Sequence, residues 1–157
     1  MHLADLLTTS DVMLRLRARD VSGAAEQLLR RSLQRHGLAA SDIDRLVLAV
    51  DERECELSTN LGAIAIPHAC DDQLGFIAAS IGVNAEGVIS GSPEPRVVIA
   101  FVSPALERKK HLALLAEIAQ LARDRGAIDA LTAATSAEDV LATIRSYCSE
   151  RRSASSS

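Results

Sequence analysis

Three apolar runs in the middle of the chain restrict the fold more than any other part of the sequence. Ala63–Ile66 is continuously apolar, Leu74–Val83 is mostly apolar, and Val97–Val102 is the strongest β-type run. A strand that is apolar on both faces needs cover on both faces, so these runs are typical of central strands between two layers of helices. The sequence therefore predicts a sheet whose inner strands are buried on each side.

Segments with helical spacing flank these runs, and a short alternating segment precedes them. Val12, Leu14 and Leu16 alternate with polar or charged residues, which predicts a half-buried strand. Spacing and capping residues predict helices at Ser22–Arg35, from Ser41 or Asp42 to Glu54, and at Glu107–Arg125. Two shorter segments end the domain: Ala127–Ala133, and then a helix capped by Ser136. The order of elements predicts an α/β (α+β) sandwich, with a mixed β-sheet flanked by helices on both faces.

The composition excludes several classes of function. The chain has 157 residues, a formal net charge of -4 and an aromatic content of 2%. Stacking of single-stranded nucleic acid needs aromatic platforms and duplex binding needs a basic surface, so no nucleic-acid partner is expected. No apolar run approaches the ~20 residues of a membrane span. Because the first residues also lack a signal-peptide pattern, a cytoplasmic protein without membrane insertion is expected.

One domain is expected over residues 1–148, followed by a tail of different composition. Residues 149–157 are Ser, Ala, Glu and Arg, and such a segment buries too little apolar surface to offset the entropy lost on ordering. The tail is therefore predicted to be disordered. Three cysteines, Cys55, Cys70 and Cys148, are odd in number and form no CxxC pair, so no disulfide framework is expected.

His68 is the histidine with the most informative surroundings. It follows an apolar run and comes directly after Pro67, which fixes its own φ and favours extended geometry at Ile66. Alternate residues of an extended chain share a face, so Ile64, Ile66 and His68 are predicted to point the same way. The imidazole is then expected at the carboxyl end of a strand, where α/β proteins often place ligand sites.

The residues alone leave several interpretations of His68 open. It is either a buried histidine held by a hydrogen bond or a member of a chemical site. One such site is a metal centre that recruits Cys55, Cys70, Asp71 or Asp72, although the spacing matches no familiar zinc pattern. A second is a thiolate nucleophile at Cys70 that is assisted by His68 or by another histidine, His111.

A third interpretation makes the His68 imidazole itself a nucleophile that carries a phosphoryl group. Phosphoryl transfer requires groups that position and neutralise the phosphoryl oxygens. Such groups precede His68 in a short span: Arg53, Ser58, Thr59 and Gly62. His111 begins a predicted helix and is able to donate to a phosphoryl oxygen, with a solvated residue as the alternative. His2 and His36 are expected to be solvated, at a terminus and at a helix end.

Two segments resemble a known family. Arg53-Glu-Cys-Glu-Leu-Ser-Thr-Asn-Leu-Gly-Ala-Ile-Ala-Ile-Pro-His68 is similar to the signature of phosphotransferase-system (PTS) enzyme IIA domains of the fructose/mannitol and nitrogen-regulatory (PtsN-like) type. His111-Leu-Ala-Leu-Leu-Ala-Glu-Ile-Ala resembles the second histidine segment of that family. The resemblance covers roughly residues 3–148 and implies an EIIA type-2 domain.

The resemblance implies a phosphocarrier and assigns roles to individual residues. His68 would accept the phosphoryl group as a tele-phosphohistidine from an HPr-type phosphocarrier protein and pass it to a IIB partner, or hold it as a regulatory state. His111 would stabilise the phosphoryl group and Arg53 would neutralise its charge, with Ser58, Thr59 and Gly62 supporting the phosphate loop. A protein-histidine phosphotransferase without metal or cofactor is the implied activity.

The sequence departs from the family pattern around the histidine. The family usually has Gly-x-Gly-Asn-Gly before the apolar strand, whereas this chain has Asn60-Leu-Gly-Ala63 and is one residue shorter. Asp71 and Asp72 follow His68 closely, and carboxylates near a phosphoryl group repel it. The alternative is therefore a degenerate regulatory module that binds partners without phosphotransfer. Because no IIB or IIC segment is present, the nitrogen-regulatory type is favoured over sugar transport, and a homodimer is a further alternative.

Overall fold

The three apolar runs form the middle of the sheet in the computed structural model, which describes residues 1–155. The strands are β1 (Val12–Leu14), β2 (Asn60–Leu61), β3 (Ile64–Ala65), β4 (His68–Asp71), β5 (Ala78–Val83) and β6 (Val97–Pro104). Their order is β1-β5-β6-β3-β2, and β4 also pairs with β6. β5 is antiparallel to β6, whereas β3 and β4 are parallel to it. The predicted mixed sheet is therefore confirmed.

Helices cover both faces of this sheet, as predicted. They are α1 (Leu3–Leu6), a 3-10 turn (Thr9–Asp11), α2 (Val21–Arg35), α3 (Ala40–Glu56), α4 (Arg108–Leu121), α5 (Arg125–Ala133) and α6 (Ala137–Ser155). One apolar cluster joins α2 and α3 to one face, and a second joins α1, α4, α5 and α6 to the other. None of these helices is long and apolar enough to cross a lipid bilayer.

The central strand β6 shows why the apolar runs have no polar side. Its residues alternate between the two clusters: Val97, Ile99 and Phe101 face the α4–α6 layer, whereas Val98 and Ala100 face α2 and α3. Every residue of β6 is buried. Both faces of the strand therefore contribute to the apolar surface removed from water, which is the main favourable term in folding.

Helix boundaries follow the caps, and two of them differ from expectation. Asp20, not Ser22, caps α2, because its carboxylate accepts a hydrogen bond from the Gly23 N–H at 2.8 Å. The Ser136 cap is confirmed, since its Oγ accepts from the Asp139 N–H at 3.1 Å. α4 ends at Leu121 rather than at residue 125 because the chain turns there and Asp124 caps the next helix.

The edge of β6 carries a strand that is broken at a proline. β3 and β4 are two short pieces along the same edge, separated by Ile66 and Pro67. The Ile66 N–H donates to the Thr59 carbonyl at 2.8 Å, and Pro67 has no N–H to donate. Pairing with β6 resumes at His68. The prediction that His68 stands at the carboxyl end of a strand is therefore wrong, because it begins β4.

Both ends of the described chain are more ordered than the sequence suggests. Residues 149–155 continue α6, which corrects the predicted disordered tail; residues 156–157 lie outside the described part. The Arg151 side chain donates to Gln120 at 2.7 Å and lies over the Tyr147 ring, so the extra turns have a surface to pack on. His2 is not simply solvated either, since its Nδ1 donates to Glu117 at 2.6 Å.

Candidate functional site

Phe101 of β6 brings two distant histidines together. The His68 ring is stacked on the Phe101 ring with centroids 5.3 Å apart, and the His111 ring lies 5.1 Å from the same phenyl ring. The centroids of the two imidazoles are 5.3 Å apart. His68 is 5% exposed and His111 is 6% exposed. The parallel register places His68 directly opposite Phe101, so the β4–β6 pairing builds this cluster.

One hydrogen bond sets the tautomer of His68. Its Nδ1 lies 2.6 Å from the carbonyl oxygen of Ile66, two residues earlier. A carbonyl oxygen only accepts hydrogen bonds, so Nδ1 carries the hydrogen. In the neutral ring, Nε2 then has the free lone pair, and it has no hydrogen-bond partner among residues 1–155. His68 therefore presents an unprotonated Nε2 with a free lone pair.

A serine and a cysteine engage the other histidine. Nδ1 of His111 is hydrogen-bonded to Oγ of Ser103 and lies 3.4 Å from Sγ of Cys70. Ser103 and Cys70 are opposite each other in the β4–β6 register. When the Ser103 hydroxyl donates to Nδ1, the hydrogen of the neutral His111 ring is on Nε2. The ring can then donate from Nε2 to an anion.

Burial and positive neighbours hold both imidazoles in the neutral form. Burial lowers the pKa of His68, and the charge of Arg53 lowers it further, against the opposing effect of the Ile66 hydrogen bond. Burial also lowers the pKa of His111 to about 4, helped by His68, Arg108 and Arg53. Near neutral pH, both imidazole rings are therefore uncharged.

A groove of about 440 Å³ opens at these rings. Besides both histidines, it is lined by Arg53, Arg108 and Cys70. Arg53 also donates to the Leu57 carbonyl at 2.9 Å, which anchors its guanidinium at the end of α3. Sequence reasoning missed Arg108, although its position three residues before His111 places both on one face of α4. Two cationic side chains therefore face the cavity beside the neutral imidazoles.

The three residues expected to support a phosphate loop do not line this groove. The Ser58 hydroxyl donates to the Glu54 carboxylate at 2.6 Å. Thr59 accepts from Ile66 through its main chain. Gly62 occupies the tight turn between β2 and β3 with a φ of 69°, a conformation that glycine adopts without strain. These residues shape the hairpin in front of β4 and do not meet the two imidazoles.

The metal-centre interpretation around Cys70 also fails on geometry. Arg45 binds both Asp71 carboxylate oxygens at 3.1 Å, and this contact lowers the Asp71 pKa. Neighbouring side chains of a strand point to opposite faces of the sheet. Because Cys70 of β4 contacts His111, the next residue, Asp71, faces away from the imidazoles. Within residues 1–155, Cys55, Asp71 and Asp72 are not part of any set of three ligand atoms close enough to share an ion. The carboxylates after His68 are therefore not aimed at the groove.

Comparison with known proteins identifies the family. Residues 5–147 match the family described as phosphoenolpyruvate-dependent sugar phosphotransferase system, EIIA 2. The chain belongs to this family. A search of curated proteins gives no significant match. The predicted membership in the PTS IIA domains is confirmed, together with the general phosphocarrier role of such domains.

Solved IIA structures share the fold at low sequence identity. Nitrogen regulatory protein IIA-Ntr from Neisseria meningitidis superposes with a TM-score of 0.75 at 20% identity, covering 90% of this chain and 98% of that one. IIA mannitol from Escherichia coli gives 0.71 at 22% identity, with 88% and 98% covered. An Escherichia coli complex of enzyme IIAMtl with phosphorylated enzyme IIBMtl gives 0.69 at 21% identity, with 89% and 97% covered. These similarities show that the chain has the IIA fold.

The low pKa of His111 predicts that acid destabilises this IIA domain. In the unfolded chain the pKa of His111 is near 6.5, whereas in the folded protein it is about 4. Between these pH values the unfolded state binds a proton at His111 and the folded state does not, so the free energy of unfolding decreases as the pH falls from about 6.5 towards about 4. The His111 contribution between about pH 7 and pH 5 is about 1–2 kcal/mol. Urea unfolding at both pH values should show a smaller loss for His111→Gln than for wild type. Equal losses would contradict a buried, neutral His111.

Proposed function

We propose that this IIA domain accepts a phosphoryl group on Nε2 of His68 from an HPr-type phosphocarrier and delivers it to a IIB partner or holds it as a regulatory state. The single observation that carries the proposal is the hydrogen bond from Nδ1 of His68 to the Ile66 carbonyl at 2.6 Å. It leaves Nε2 as the attacking atom and fixes the ring in one orientation. The product is a tele-phosphohistidine.

The transfer breaks one phosphorus–nitrogen bond and forms another. The Nε2 lone pair attacks phosphorus in the phosphohistidine of the donor, and the donor nitrogen leaves with the electron pair of the broken bond. Nδ1 keeps its hydrogen, so the phosphorylated His68 ring is cationic and the Ile66 carbonyl stabilises it. Onward transfer reverses these roles, since a cationic imidazole becomes a neutral leaving group.

The groups beside His68 are able to stabilise the negative charge of the phosphoryl group during this step. Phosphoryl transfer depends mainly on positioning and on neutralising the equatorial oxygens. Arg53 and Arg108 bring two positive charges to the groove, and His111 adds an uncharged donor when Ser103 holds its Nδ1. In this proposal Arg53 neutralises phosphoryl charge and His111 stabilises the phosphoryl group, with Arg108 as an additional cation.

The nitrogen-regulatory and mannitol types of IIA domain both share the fold of this chain. Both the nitrogen-regulatory and the mannitol structures align over 98% of their own lengths, so overall shape does not distinguish them. The mannitol domain occurs in a complex with phosphorylated IIBMtl, which supports a IIB partner for this chain. A cytoplasmic regulator of the nitrogen type would take its phosphoryl group from the nitrogen-branch relative of HPr, and a sugar-transport domain would take it from HPr.

Reconstitution of the phosphoryl relay tests this function. The full chain is incubated with phosphoenolpyruvate, enzyme I and either HPr or its nitrogen-branch relative, and intact mass is recorded. The expected result is one phosphoryl group per chain that is stable in alkali and labile in acid. Faster labelling by the nitrogen-branch carrier supports the nitrogen type, and faster labelling by HPr supports sugar transport. No labelling by either carrier would favour a docking module without phosphotransfer.

Replacing Ser103 tests how His111 is positioned. Ser103→Ala removes the hydroxyl at Nδ1 of His111 and is expected to slow transfer about tenfold, the effect of about 1.4 kcal/mol from one hydrogen bond. Nitrogen-15 NMR should show an increased fraction of the tautomer with hydrogen on Nδ1. Ser80→Ala is the matched control, since Ser80 is equally buried in β5 and bonds to the Asp11 carbonyl. Equal slowing in both variants would indicate a general packing defect instead.

A further inference from the structure

A second cluster of titratable side chains lies where the start of the chain meets α4 and α6. His2 directly precedes α1, Glu117 belongs to α4, and Cys148 belongs to α6. One ring nitrogen of the histidine, one carboxylate oxygen and the thiol sulfur all lie within 4.8 Å of one another. None of the three lines the groove at His68, and the proposed phosphoryl transfer uses none of them.

Glu117 is the centre of this cluster. It is 8% exposed, and its Oε2 accepts from Nδ1 of His2 at 2.6 Å. Its Oε1 accepts from the Leu3 N–H at 2.7 Å and from the Cys148 thiol at 3.5 Å. Cys148 is 2% exposed. A carboxylate this deeply buried is costly unless opposite charge compensates it, so the cluster favours a cation.

We propose that His2, Glu117 and Cys148 bind one divalent transition-metal ion of the zinc class. Imidazole nitrogen, carboxylate oxygen and thiolate sulfur are the donor types that zinc takes, whereas calcium and magnesium prefer oxygen ligands alone. One carboxylate and one thiolate balance the charge of a divalent ion, so the loaded cluster buries no net charge. The fourth tetrahedral position remains for water or another ligand.

Metal binding requires two local changes in protonation. The Cys148 thiol loses its proton to solvent, and the hydrogen on Nδ1 of His2 moves to Nε2 so that Nδ1 can coordinate. One proton is therefore released for each ion bound. The Leu3 N–H remains on Oε1 of Glu117, which leaves the other carboxylate oxygen for the metal. The ion would join the start of the chain to α4 and α6.

Cobalt substitution in the 157-residue chain tests the site. Metal-free wild type is titrated with Co²⁺ alone, and Zn²⁺ is then added to displace it. The expected result is one Co²⁺ per chain, a thiolate-to-cobalt charge-transfer band, and a rise in thermal midpoint when Zn²⁺ is present. Cys148→Ser should lose the band, and His2→Ala should weaken binding by at least about tenfold. His2→Ala removes a side chain that is 27% exposed, so it tests the site even when Cys148→Ser does not fold.

Two other cysteines provide matched controls. Cys55 is exposed on α3 and Cys70 belongs to the groove, so Cys55→Ser and Cys70→Ser should keep the band and the stoichiometry. Absence of the band in wild type, or its loss in either control with retention in Cys148→Ser, would overturn the proposal. Phosphoryl labelling of His68 is measured separately, so the two proposals stand or fall independently.

Discussion

Substitution of His68 by alanine is expected to abolish phosphoryl acceptance. The variant lacks Nε2, the atom whose lone pair the Ile66 hydrogen bond leaves free, and no other group in the groove has that combination of burial and tautomer. Labelling from phosphoenolpyruvate through the carrier should fall at least ~10³-fold, as expected when a covalent nucleophile is removed. The intact mass of the protein after incubation with the complete relay measures the extent of phosphoryl labelling.

Two further variants make the His68 result specific. His36→Ala removes an exposed histidine outside the groove and should be labelled as wild type is. Cys70→Ser removes the thiol that lies 3.4 Å from His111, so retained labelling excludes a phosphorylated Cys70 as the species measured. Full labelling of His68→Ala with an unchanged circular dichroism spectrum would contradict the assignment of His68 as the phosphoryl acceptor.

Substitution of His111 by alanine is expected to slow transfer by about 10²–10³-fold without unfolding the domain. Removing one preorganised hydrogen-bond donor that stabilises charge in the transition state lowers the rate by a factor of this size. The ring is neutral near pH 7, since burial and its positive neighbours lower its pKa to about 4, so it acts through a hydrogen bond rather than through charge. Single-turnover transfer from the phosphorylated carrier measures the rate.

A conservative variant separates donation from packing at this position. His111→Gln keeps a donor of similar reach and should recover part of the lost rate, whereas His111→Phe keeps the ring packing against Phe101 and should recover none. Thermal unfolding of all three variants controls for the fold. A wild-type rate in His111→Ala, or rescue by phenylalanine, would refute the role of His111 as a donor.

The layers of the fold could be predicted from the sequence because local patterns encode them. β6 is apolar on both faces, and both sets of its residues pack against helices. The Ser136 cap has a local signal in the same way. Asp20 was missed because Ser22 is an equally good cap, and only the observed hydrogen bond to Gly23 distinguishes them. The ordered turns after residue 148 depend on contacts with Gln120 and Tyr147, which composition does not report.

The site was only partly predictable because strand register builds it. The sequence singled out His68, His111 and Arg53, which the structure brings to one groove. Cys70 and Ser103 meet His111 through the parallel pairing of β4 with β6, which joins residues 33 positions apart. The sequence also placed His68 at the end of a strand, since the break at Pro67 and the restart of pairing are tertiary features.

The position of the phosphoryl group on the labelled protein tests the central claim most directly. Uniformly nitrogen-15-labelled protein is phosphorylated through the relay, and two-dimensional NMR correlates the ring protons, both ring nitrogens and phosphorus of each histidine. We predict a single phosphohistidine at His68, with phosphorus on Nε2 and the hydrogen retained on Nδ1 against the Ile66 carbonyl. Phosphorus on Nδ1 of His68, on His111 or on Cys70 would contradict it.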